Sequence, residues 1–177
     1  MPGREPRRSV VLRERPGCGY SPPVAKNEWA DLSEAQVAKR VGRLLGLTFS
    51  DGATVGLGGS PFGLADVGND AFVALEVEQK HTHPAENVLQ YWPWMERNRR
   101  RVVLIHAIAP DARKRSGHRA DLTRWLGAMM ERVLPGRFTY CRLDLGTADE
   151  ADQVSAARAA IVGLESTAPE RKLAPGL

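Results

Sequence analysis

The run that most constrains this chain is VVLIHAIA, residues 102–109, which carries no formally charged side chain over its whole length. An apolar run of that kind suits a strand covered on both faces, so the chain needs a sheet with a layer on each side. AFVALEVE at residues 71–78 is the clearest other strand, and FTYCRLDL at 138–145 alternates as a further one. Helical spacing appears between and around them. Leu32, Val37, Val41, Leu44 and Leu45 recur at three or four residues over 31–47, with Asp31 or Ser33 placed to cap the start and Gly46 the end. Pro84 suits a first helical turn, and Val88, Tyr91, Trp92 and Met95 form an apolar face. Pro93 in the middle is predicted to kink or divide that helix. Residues 120–134 read as a helix ending before Pro135-Gly136, and 149–164 as an alanine-rich one.

The segment from Ala53 to Leu64 is rich in glycine and reads as one or two short strands with bends. A strand over Gly63–Val67 follows, then a turn through Gly68-Asn69-Asp70 into residues 71–78. An antiparallel start followed by strand–helix–strand crossovers predicts an α/β fold, a mixed central sheet flanked by helices.

At 177 residues the chain suits one domain with a single core. Residues 1–26 hold five prolines and three glycines among alternating charges and read as a basic, extended or disordered arm. The domain is expected over 27–165, and 166–177 as a flexible tail. The N-terminus lacks the apolar stretch of a secretory signal, and no run approaches the roughly 20 apolar residues of a membrane span. Cys18 and Cys141 stand in no spaced motif, which points to a reducing cytoplasm and leaves a disulfide between them open. The net charge is +4, with arginines clustered at 97–101 and 113–119. Such clusters fit a polyanion, because basic side chains near phosphates release condensed counterions; a solvated basic surface is the plainer alternative.

The chemistry concentrates in FGLADVGNDAFVALEVEQK, residues 62–80. Strand alternation puts Phe72, Ala74, Glu76, Glu78 and Lys80 on one side, with Leu75 and Val77 facing a core on the other. Carboxylates two residues apart lie roughly 6.6 Å apart along a strand. With Asp66 on the neighbouring strand, three carboxylates are expected to converge. Crowded like charges need something positive among them, and oxygen-only ligands favour Mg²⁺ or Mn²⁺.

This arrangement resembles the PD-(D/E)xK nuclease superfamily, in which an Asp on one strand precedes an acidic-x-Lys triplet on the next. Asp66 stands ten residues before Glu76, and Glu76-Val77-Glu78 occupies the triplet. Glu78 replaces the usual lysine, and Ala65 stands where a proline precedes the Asp. A second register uses Asp70 with Glu78-Gln79-Lys80, but its middle residue is polar where the family's is apolar.

The resemblance covers residues 30–146 and implies a restriction-endonuclease-like αβββαβ core. It implies a Mg²⁺- or Mn²⁺-dependent endonuclease hydrolysing phosphodiesters, most simply DNA, of restriction, defence or repair type. Asp66, Glu76 and the carbonyl of Val77 would hold metal, Glu78 would bind a second metal or orient water, and Lys80 would steady the phosphate. A homodimer suits an enzyme that cuts both strands. The rival is a catalytically inactive nucleic-acid-binding or assembly protein of the same fold, kept alive by Glu78 in the lysine position.

Nucleic-acid contacts are assigned to His81, His83, Asn87, Gln90, Tyr91, Arg97, Arg99, Arg100, Arg113, Lys114 and Arg115. Read without the resemblance, His81 and His83 are polar residues before a helix, and Tyr91, Trp92 and Trp94 are core aromatics. His106 reads as a satisfied core histidine, and Glu34 as an acid of a capping turn. Neither a phosphate loop nor a zinc set is spelled out.

Overall fold

A computed structural model describes residues 28–50, 63–68, 70–79, 84–98, 100–116 and 118–166. The proposed arm and tail therefore lie outside the described residues, apart from the end of the last helix. So does most of the glycine-rich segment. Its flank is visible at Ser50, which forms an antiparallel bridge with Leu64.

The first helix, α1 (Glu34–Leu45), begins and ends where local chemistry directs. Ser33 accepts a hydrogen bond from the Gln36 N–H, and the Gln36 side chain accepts from the Ser33 N–H in return. Such a cap is worth about 1 kcal/mol. At the other end Gly46 turns left-handed at φ 74°, a conformation open to glycine without a Cβ penalty. Strands β1 (Gly63–Gly68) and β2 (Ala71–Glu78) form an antiparallel hairpin. Its turn carries Gly68 at φ 79° and Asp70 at φ 56°.

Next come α2 (Pro84–Leu89) and α3 (Tyr91–Asn98), then β3 (Arg101–Ile108). Pro93 does divide the helical stretch, but the break falls at Gln90. A proline ring clashes with the carbonyl four residues earlier, here that of Leu89, so the interruption lies upstream of the ring itself. Pro93 then sits in the first turn of α3, where its missing N–H costs nothing. Helices α4 (Pro110–Ser116) and α5 (His118–Val133), strand β4 (Phe138–Asp144) and helix α6 (Glu150–Ser166) complete the order. The short α4 falls in a stretch read from sequence only as a basic cluster.

Among the described residues the strands form one four-stranded sheet in the order β1-β2-β3-β4. β2, β3 and β4 run parallel, so the sheet is mixed and helices cover it. Val73, Leu75, Val77, Val103, Ile105, Ala107 and Leu143 face α1 and α6. Phe72, Ala74, Val102, Leu104 and Phe138 face α2, α3 and α5. Trp29 ties the first described segment to this frame: its indole N–H donates to Glu150 at 3.0 Å, and the Arg40 guanidinium lies 4.3 Å over its ring. No described helix is long and apolar enough to cross a membrane. Cys141 is a free thiol, pushed up to about 12 by burial and then by the charge of Glu131.

A buried acidic centre as candidate functional site

Every residue of β2 is buried, acids included. Glu76 is 5% exposed and Glu78 2%, so the face that carries them is roofed by α2 and α3 rather than open to solvent. Parallel register then sets their neighbours. Glu76 lies beside His106, and His106 beside Arg142, while Glu78 lies beside Ile108, and Ile108 beside Asp144. These positions are the carboxyl ends of three parallel strands, the edge where open α/β sheets place their ligand sites.

Each carboxylate is held by donors on that roof. Glu76 Oε1 accepts from the Tyr91 hydroxyl at 2.9 Å and from Gln90 Nε2 at 2.8 Å. Glu78 Oε1 accepts from Asn87 Nδ2 at 2.5 Å and faces His106 Nε2 at 3.2 Å. The other oxygen, Glu78 Oε2, is buried with no hydrogen-bond partner. Leaving a buried polar atom unpaired costs on the order of 1–3 kcal/mol, and more when it is charged. Burial pushes the Glu76 carboxyl up to about 8; the neighbouring charge of Glu78 adds to this, and the Tyr91 and Gln90 hydrogen bonds oppose it. Tyr91 is raised well above its ordinary value, first by burial and then by the charge of Glu76.

Behind the acids, His106 Nδ1 lies 2.9 Å from the Tyr140 hydroxyl. The flank of the site is an ion pair within β4, in which Arg142 Nε meets Asp144 Oδ1 at 3.0 Å and Oδ2 at 2.9 Å.

Asp66 does not join this centre. Its partner across the hairpin is Phe72, four residues short of Glu76, or roughly 13 Å along a strand. Asp66 is exposed, and its Oδ1 accepts from the Gly68 N–H at 2.8 Å, closing the turn instead. The expected three-carboxylate convergence is thereby corrected to two. Asp70 of the second register sits in the same turn. Among the described residues no group of three or more His, Cys, Asp and Glu side chains is arranged to hold a metal.

Of the other assigned residues, Asn87, Gln90 and Tyr91 are brought to the acids. Tyr91 is fully buried with its hydroxyl on Glu76, which removes it from any nucleic-acid surface. Val77 sends its side chain into the opposite core layer. Arg97 and Arg100 are exposed near the end of α3, away from the acids in sequence. Lys114 is exposed on α4, and Arg113 is half-buried there, its Nη1 enclosed without a hydrogen-bond partner. Lys80, His81, His83, Arg99 and the side chain of Arg115 lie outside the described residues.

His106 is the satisfied core histidine its apolar strand suggested, but its partners Glu78 and Tyr140 come from a parallel register that no local pattern reveals. No protein-family model, curated protein or solved structure matches this chain.

Proposed function

We propose that this chain is a metal-dependent phosphodiesterase of restriction-endonuclease-like type, acting on nucleic acid through Glu76 and Glu78. The observation that carries this reading is the orphaned Glu78 Oε2, buried beside a second carboxyl group, that of Glu76. Two desolvated carboxyls side by side are unfavourable unless a cation joins them, and a hard oxygen pair suits Mg²⁺ or Mn²⁺. Mg²⁺ needs only one or two protein carboxylates, because waters and substrate phosphate complete its shell, so two acids suffice.

The order of elements supports the same reading. A helix, an antiparallel hairpin, a helical roof and a parallel strand follow one another, with the acids at the end of the hairpin's second strand. In this reading Glu78 offers Oε2 to the cation while Asn87 and His106 restrain its other oxygen. Glu76 would join Glu78 in holding the cation, with Tyr91 and Gln90 hydrogen-bonded to its Oε1. The cation, when bound, supplies Lewis-acid stabilisation of phosphate charge. Arg113 and Lys114, on the helix directly after β3, bring positive charge to the same edge of the sheet for the nucleic-acid backbone.

A second reading rests on the same burial. Glu76 is buried and capped by Tyr91 and Gln90 without any cation, so the centre also suits a catalytically inactive nucleic-acid-binding or assembly protein of this fold. Cleavage of plasmid DNA and of RNA in Mg²⁺ or Mn²⁺, beside Glu76→Gln and Glu78→Gln, separates the two. Metal-dependent cutting lost in both variants upholds the phosphodiesterase. Binding that persists in chelator, with no cutting in any metal, selects the inactive reading.

A further inference from the structure

Tyr140 has no part in the phosphodiesterase reading, yet its hydroxyl reaches from β4 through His106 on β3 to Glu78 on β2. We infer that Tyr140 and His106 are positioning residues: Tyr140 O–H donates to His106 Nδ1, His106 Nε2–H donates to Glu78 Oε1, and the chain leaves Oε2 as the oxygen that meets a divalent cation. This rests on the acidic-centre reading for its ligand.

The geometry is specific. His106 is wholly buried and pairs by register with Glu76, which puts its ring between the two flanking strands. Its nitrogens lie 3.2 Å from Glu78 Oε1 and 2.9 Å from the Tyr140 hydroxyl. A neutral imidazole has one donor and one acceptor nitrogen. With the proton on Nδ1, an acceptor nitrogen would face a carboxylate oxygen, two lone pairs in contact. With the proton on Nε2, each proton of the chain finds an acceptor: the acceptor-only carboxylate fixes that tautomer, and the Tyr140 hydroxyl satisfies the Nδ1 lone pair it leaves.

Tyr140 is itself fixed. Its backbone N–H donates to Glu131 Oε1 at 2.6 Å, and its ring occupies the space over Gly127, where a Cβ would come within 2.3 Å of Cγ. Outer partners of this kind orient a ligating group and typically carry 10–100-fold in metal affinity. Asn87 shares Oε1 with His106, so both restraints act on one oxygen and leave the other for the cation.

The test has two readouts. ¹⁵N-histidine NMR of the wild-type protein without metal reads the tautomer directly. A protonated Nε2 with a bare Nδ1 is expected, and a protonated Nδ1 or an imidazolium would overturn the hydrogen-bond chain. Mn²⁺ titration by calorimetry then reads the positioning role. His106→Gln, whose amide replaces the Nε2–H donor, is expected to stay within a few-fold of wild type, and His106→Asn to lose about tenfold or more.

Tyr140→Phe is expected to weaken Mn²⁺ several-fold in the wild-type background and not at all beside His106→Gln, where no Nδ1 lone pair remains to be satisfied. An equal loss in both backgrounds makes Tyr140 a packing residue only and sinks the inference. Absence of Mn²⁺ binding in every protein, wild type included, sinks the acidic-centre reading and the positioning role together. The wild-type tautomer still decides the hydrogen-bond chain in that case, so the two failures are distinguishable.

Discussion

The Tyr91 hydroxyl donates to Glu76 Oε1 across 2.9 Å, from the first residue of α3 to a strand beneath it, and the tyrosine is fully buried. Tyr91→Phe keeps the ring and removes one of the two donors on that oxygen, leaving Gln90. A loss of about 1–2 kcal/mol in unfolding free energy is expected, read from urea titrations. An unchanged midpoint would mean that the hydroxyl contributes nothing beyond its ring.

The pH dependence of stability follows from Glu76. Its carboxyl is raised from 4.5 to about 8, mainly by burial, so between those values the folded chain keeps a proton that the unfolded chain has released. The contribution is therefore complete below 4.5, declines as pH rises through the window, and is gone above about 8. Over that span it amounts to a few kcal/mol, at about 1.4 kcal/mol per unit. Glu76→Gln cannot titrate. The variant's melting temperature, measured without metal, should gain on wild type between about pH 5 and pH 8.5. A constant difference across that range would show that Glu76 titrates normally.

Much of the fold was legible because its causes are local. Ser33 and Gly46 bound α1 through caps that lie within a few residues of sequence, and alternation along β2 put Glu76 and Glu78 on one face. The helix break moved from Pro93 to Gln90 because the proline's clash acts four residues upstream. Helix α4 escaped notice because, among its described side chains, Pro110 and Ala112 are the buried ones, too little to make a periodic apolar face. Asp66 was misplaced for a reason already present in the turn. A hairpin that reverses at residues 68–70 brings residue 66 opposite 72, so ten residues of separation cannot bring 66 and 76 together. The partners of His106 were beyond reach, since parallel register is fixed by packing across crossovers and not by neighbours in sequence.

Gly127 gives a sharp packing test. A Cβ there would lie 2.3 Å from Tyr140 Cγ and 2.5 Å from Cδ1, inside any real contact, and Tyr140 is held by Glu131 at its backbone N–H and by His106 at its hydroxyl. Gly127→Ala is expected to destabilise the chain by about 1–3 kcal/mol through overpacking, despite alanine's better helix propensity. Beside Tyr140→Ser, which clears the ring and leaves only the Cβ at 2.9 Å, the same substitution should cost clearly less. Equal costs in both backgrounds would refute the cradle.

Asp66→Ala separates the turn from the acidic centre. The side chain closes a hydrogen bond onto the Gly68 N–H and stands beside Phe72, so its loss should cost about 0.5–1.5 kcal/mol of stability through the turn alone. Mn²⁺ affinity and any metal-dependent cleavage should stay at the wild-type level, because roughly 13 Å of strand separates it from Glu76. Glu78→Gln should behave in the opposite sense. Replacing a buried carboxylate by a neutral amide removes the charge that a cation would meet at Oε2, and it relieves part of the desolvation that a metal-free protein carries. The metal-free variant is then expected to be as stable as wild type or more so, while Mn²⁺ binding falls tenfold or further. Calorimetric titration of both variants beside wild type decides the matter: loss of Mn²⁺ binding in Asp66→Ala would require a centre that reaches across the hairpin, which the Asp66–Phe72 pairing excludes for this fold.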